Sequence, residues 1–118
     1  MKAEYGAVVA VPSGQVVTLQ DVVWNEPGPE GLVARFRFVA PGIAKIGGTV
    51  DLATAAADMH DLCSRYALPR LATTGPKPTQ VIISMSDVAV EFGDAAPEAT
   101  QFFEAYAIEG NTCIWEQY

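Results

Sequence analysis

The single histidine, His60, lies three residues before Cys63, one of two cysteines in the chain. On an α-helix, residues three apart are neighbours, so this pair suggests two chemistries. One is an activated thiolate with the imidazole as its base. The other is a metal site that recruits Asp58 and Asp61 as further ligands. The nucleophile also needs a third group to orient the histidine. Asp61 is adjacent to His60, and adjacent helical residues point about 100° apart. A metal needs three or four converging ligands. Asp58, His60, Asp61 and Cys63 instead fan around a helix, without the His-x-x-x-His spacing of helical zinc sites. The simpler reading places Cys63 on a buried helix face and His60 at its edge.

Other candidate motifs weaken in the same way. Lys45-Ile46-Gly47-Gly48-Thr49 precedes a helical pattern but has neither the P-loop nor the G-x-G-x-x-G spacing. It reads as a glycine turn before a helix cap. No serine sits in a G-x-S-x-G elbow. Asp58 with Asp61, and Glu26 with Glu30, read as solvated carboxylates. Trp24, Phe36, Phe38, Phe102, Phe103 and Trp115 read as core rather than as a ligand box. No residue is assigned a catalytic role, and no metal or cofactor is implied.

These residues need elements to hold them. Val8–Val11 and Val16–Trp24 read as extended runs, and the latter is followed by the turn-rich stretch 25–31. From Leu32 to Val39 the chain alternates. Leu32, Ala34, Phe36 and Phe38 share one face, and Val33, Arg35, Arg37 and Val39 share a wetter one. Thr49 or Asp51 caps a helix over about 51–67. Its stripe runs through Leu52, Ala55, Ala56, Met59, Leu62, Cys63 and Tyr66. Thr54, Asp58, Asp61 and Arg65 fall opposite, and Pro69 ends the helix by pushing its predecessor out of the α region. Gln80–Met85 and Val88–Phe92 read as two strands. The runs Gln101–Glu109 and Thr112–Tyr118 flank Gly110-Asn111, a hairpin signal. The expected fold is α+β: a mostly antiparallel sheet of about five to six strands, with one main helix (about 51–67) packed on one face.

The 118 residues suit one domain, 1–118, with 1–7 read as a disordered start or a signal-peptide remnant. Half the residues are hydrophobic and 18% are charged, a globular balance. The net charge of −7 is spread along the chain and repels phosphate backbones and anionic lipid. Nucleic acid is therefore not an expected partner. No apolar run approaches the ~18–20 residues of a membrane span.

Cys63 and Cys113 lie fifty residues apart, one on the helix stripe and one in the last strand. A helix packed on the sheet can bring them together. Closing such a loop restricts the unfolded chain by about 4 kcal/mol in the loop-entropy model. Two unpaired buried thiols are the alternative. A disulfide would indicate an oxidising compartment.

Several stretches resemble a known family: residues 11–15 (VPSGQ), 31–41 (GLVARFRFVAP), 66–71 (YALPRL), 80–87, 97–106 (PEATQFFEAY) and 113–116 (CIWE). The resemblance is to small exported bacterial proteins of unknown function, of alphaproteobacterial type. It implies export behind a signal peptide and carries no activity, cofactor or catalytic residue.

The expected function is that of a small, non-catalytic binding or accessory protein stapled by Cys63–Cys113. Its place is periplasmic or secreted if a signal peptide precedes it, and cytoplasmic otherwise. Its partner is a protein or a component of the cell envelope. The expected surface is Arg35, Arg37, Trp24 and Lys77, with the loops 25–31 and 73–78, since loops on a rigid scaffold often carry function. Competing readings are a small enzyme or redox protein using Cys63 with His60, and a cytoplasmic subunit of a larger assembly.

Overall fold

A computed structural model of the chain describes residues 5–29, 31–71 and 77–116. Five strands form one sheet in chain order: β1 (Thr18–Gly28), β2 (Gly31–Val39), β3 (Gln80–Ser86), β4 (Gln101–Glu109) and β5 (Thr112–Glu116). Helix α1 (Leu52–Asp61) packs on one face. The α+β class stands, but the sheet is mixed: β2 and β3 run parallel, and the other three pairs are antiparallel. Most of the pairing is antiparallel, as expected, and the β2–β3 pair is the exception that hairpin-linked strands did not lead one to expect. The chain from Ala40 to Thr79 carries α1 across the sheet and returns beside β2 in the same direction, as a crossover through a helix must.

Two other segments depart from expectation. Val88–Phe92 is not a strand. The Gln20 side-chain amide donates to the Val90 carbonyl (2.7 Å), and Arg37 Nη2 donates to the same oxygen. Side chains therefore take the place of a ladder there. The stretch Asn25–Gly28, expected as loop, instead extends β1 until Gly28 pairs with Gly31. Pro27 is tolerated because β1 is an edge strand. Gly31 has φ +135°, and a Cβ there would lie 2.7 Å from Thr79 Oγ1, so a side chain would be both strained and crowded. The loop expected at 73–78 falls largely on residues outside those described.

Asp51 caps α1 by accepting from the Thr54 N–H at 2.9 Å, and that bond holds its carboxyl below the usual value. After Asp61 the helix widens into a π turn (Leu62–Ala67) and then tightens into a 3₁₀ turn (Leu68–Arg70). Leu68 keeps helical angles (φ −53°, ψ −47°), so Pro69 does not stop the helix as expected. It enters the first turn of a new helical segment, where its missing N–H costs little. The chain becomes extended only at Leu71.

The core forms between α1 with its π turn and one sheet face. Ala34, Phe36 and Phe38 of β2 stand in register with Val81, Ile83 and Met85 of β3. All six are buried against Ala55, Met59, Leu62, Cys63 and Tyr66. Cys63, on the π turn, is joined by a disulfide to Cys113 on β5, with Cα atoms 6.3 Å apart. Asp58 was expected on the wet side of α1 and is instead 1% exposed. It lies on the flank of the stripe, where the chain before β1 crosses the helix. Its carboxylate accepts from Ser13 N (3.0 Å), Ser13 Oγ (2.6 Å) and Gln15 Nε2 (2.8 Å). Residues before β1 are held further by Gly6 N–H to the Leu19 carbonyl and Leu19 N–H to the Ala7 carbonyl. No helix among the described residues is long and apolar enough to cross a membrane.

Two stability predictions follow from these anchors. Replacing both cysteines by alanine is expected to lower the unfolding free energy by up to about 4 kcal/mol, measured by urea unfolding with and without reductant on the parent chain. A parent whose urea midpoint ignores reductant would contradict this. Asp58→Ala removes the acceptor of three part-buried donors on Ser13 and Gln15 and is expected to cost about 1–3 kcal/mol, with Asp58→Asn milder. Equal loss in both variants would show that the anchor depends on the full carboxylate and that the shape of the side chain contributes nothing.

Candidate functional site

The expected surface residues do not form one patch. Arg35 and Arg37 stand on the sheet face opposite α1, whereas Trp24 points to the helix side and packs edge-on against Phe36 (5.6 Å). Lys77 is exposed ahead of β3. Arg37 is 7% exposed, with Nη1 2.8 and 3.0 Å from the two Asp21 carboxylate oxygens. Arg35 Nε lies 3.2 Å from Glu26. Both guanidiniums lie within 6 Å of the Phe92 ring centre, at 5.6 Å for Arg35 and 5.4 Å for Arg37. Their charge is already met inside the fold, and Phe92 covers them.

The four residues of the suggested His–Cys chemistry also go separate ways. Cys63 is in the disulfide, and Asp58 holds Ser13 and Gln15. Asp61 faces Arg65 at 3.6 Å. His60 is exposed, as expected, and turns its ring onto β4 and β5. Glu26, expected to be solvated, is the Arg35 partner, and Glu30 lies outside the described residues.

Beside an open hollow of about 410 Å³ between Pro12, Ser13 and the start of α1, two further hollows are large enough to take a small molecule. The first, about 570 Å³, lies under residues 87–99 and is walled by Asp87, Glu91, Asp94 and Glu98. Two of these carboxylates hold the loop's own shape: Asp87 accepts from Thr100 N (2.9 Å) and Asp94 from Ala96 N (3.1 Å). The second, about 380 Å³, is a groove between α1 and the β4–β5 hairpin. Ala56, Ala57 and His60 form one wall, and Glu104, Tyr106 and Trp115 form the other. Small-molecule sites usually occupy roughly 300–1,000 Å³ and are mostly apolar with a few placed polar groups. The groove has that character.

Each polar group in the groove is fixed by a neighbour. The His60 ring stacks on Tyr106, with centroids 5.4 Å apart and planes 8° apart. His60 Nε2 lies 3.1 Å from the Cys113 carbonyl. A carbonyl only accepts, so Nε2 carries the proton, and in neutral imidazole Nδ1 is the acceptor. The Trp115 indole N–H donates to Glu104 Oε2, which holds the indole in place while 53% of the residue stays exposed. Burial raises the Tyr106 phenol well above its ordinary value, and the Glu104 charge raises it further. Tyr106 therefore remains a neutral donor across ordinary pH.

Glu104 is the anomaly. Along β4 the side chains alternate, and Phe102, Glu104 and Tyr106 share the face turned toward the helix. Glu104 stands in register with the fully buried Ile83. Among the described residues it has no ion-pair partner. The sequence offers this signal, a carboxylate on the apolar face of an alternating strand, but the Gln101–Glu109 run is read only through its Gly110-Asn111 turn. Trp115 is expected in the core, and no place is expected for Tyr106. The structure buries Tyr106 and leaves Trp115 as an exposed wall.

No curated protein and no solved structure matches the chain. Over residues 1–118 it matches DUF6497, a family of unknown function, and the protein belongs to that family.

Proposed function

We propose that the protein is a non-catalytic binding protein of an oxidising compartment, periplasmic or secreted, and that its ligand sits in the groove between α1 and the β4–β5 hairpin. The observation that carries this reading is the position of the disulfide. Cys63 lies three residues beyond His60 on one wall, and Cys113 lies two residues before Trp115 on the other. The bond thus couples the two walls, and His60 reinforces it through the Cys113 carbonyl. A groove whose walls are fixed in advance loses less freedom when it binds. Disulfides persist in oxidising compartments and are rare in the cytosol, which supports export.

The competing enzyme reading needs Cys63 as a free thiolate, and its sulfur is bonded to Cys113. The remaining groups in the groove are a carboxylate, a neutral phenol, an imidazole and an indole, a set suited to recognition.

Two measurements test the proposal. Rapid alkylation of the protein in its source cells, followed by mass measurement, is expected to find it unalkylated and lighter than the reduced chain by two hydrogen atoms. A fully alkylated cellular pool would place it in a reducing compartment. A small-molecule screen followed by amide resonances is expected to shift Ala56, Ala57 and the Trp115 indole, with binding weakened when both cysteines are replaced by alanine. Ligand shifts clustered around Phe92 and Phe103 would move the site to the other sheet face.

A further inference from the structure

We infer that the groove takes a small alkylated ammonium ion, held over the Trp115 ring and neutralised by Glu104. This deepens the groove reading and rests on it. Glu104 is a carboxylate placed on the apolar face of β4, without an ion-pair partner among the described residues. Three other carboxylates on the sheet and helix are ion-paired, Asp21 with Arg37, Glu26 with Arg35 and Asp61 with Arg65, and Asp58 and Glu116, outside the groove, accept from neutral side chains. An uncharged ligand over Glu104 would strip water from that carboxylate and leave it the Trp115 N–H alone. An anion would meet Glu104 directly, on a chain of net charge −7. A cation is the ligand whose binding removes the penalty instead of adding to it.

The remaining wall sets the kind of cation. Ala56 and Ala57 contribute methyl groups, and Tyr106, His60 and Trp115 contribute rings. Beyond Glu104 and His60 Nδ1 such a lining offers few acceptors to the several N–H donors of a bare ammonium group, and it packs well against N-methyl groups. Aromatic faces attract cations through the ring quadrupole, with tryptophan the strongest. The indole N–H bond to Glu104 sets the ring beside the carboxylate, so one bound charge can meet both. A groove of about 380 Å³ accommodates a compact molecule and excludes a bulky one.

The probe is choline chloride, titrated into the isotope-labelled oxidised chain at constant ionic strength, with the Trp115 indole resonance followed. Its comparison is the uncharged isostere in which a tert-butyl group replaces trimethylammonium. Choline is expected to saturate the Trp115 shift, and the isostere to bind at least about tenfold more weakly. Glu104→Gln keeps an acceptor for the indole N–H and removes the charge. It is expected to lower choline affinity by about tenfold while the remaining amide spectrum shows an intact fold. If the isostere, or glucose as a neutral sugar, matches or exceeds choline at Trp115, the ammonium inference is overturned and the groove reading survives. If choline, the isostere and glucose all leave the groove resonances unmoved, both fall.

Discussion

Strands β2 and β3 lie side by side and run the same way, so the chain joining them has to travel back across the sheet. That crossing places α1 over the β2–β3 pair, where Ala34, Phe36, Phe38, Val81, Ile83 and Met85 lose their contact with water. It also brings the π turn after α1 within reach of β5, so that Cys63 meets Cys113. β5 has five residues and, among the described residues, one neighbouring strand, β4. A strand that short at an edge gains much from a covalent tie to the helix. The groove exists because the same crossing leaves α1 beside the hairpin, with Ala56, Ala57 and His60 opposite Glu104, Tyr106 and Trp115.

Charge is handled in three ways. Asp58 is buried and surrounded by donors from Ser13 and Gln15, which fasten the chain before β1 to the helix. Arg35 and Arg37 are matched by carboxylates of β1 and roofed by Phe92, which fixes the loop after β3 across the open face. Glu104 receives an indole N–H and nothing cationic among the described residues. Burial of a charge is tolerated where partners compensate it. The first two cases are complete within the fold, and the third is open to an outside partner.

Much of the fold was legible. The alternation of Leu32–Val39, the helical stripe through Met59 and Cys63, and the Gly110-Asn111 turn each reflect short-range geometry, and each element forms. Val88–Phe92 was misread because a short apolar run has the same composition whether a strand or side chains satisfy its backbone. Here Gln20 and Arg37, from strands far away in sequence, supply the partners. Asp58 was misread for a related reason. Its place on the helix wheel was near the boundary, and the segment that covers it comes from the other end of the chain. Of the groove, His60 was noticed for the wrong neighbour, and Glu104 was passed over.

By itself, the sequence determined the strands with clear alternation and the helical stripe, because their periods are local properties of the backbone. It determined that Cys63 belongs to the buried stripe, and it made Cys113 a reasonable partner. The tertiary structure decided that β2 and β3 are parallel, that the arginines are matched, and that His60, Glu104, Tyr106 and Trp115 line one groove. Those outcomes depend on which faces meet after the chain crosses the sheet. Periodicity fixes the face on which a side chain stands; it does not fix what comes to stand against it.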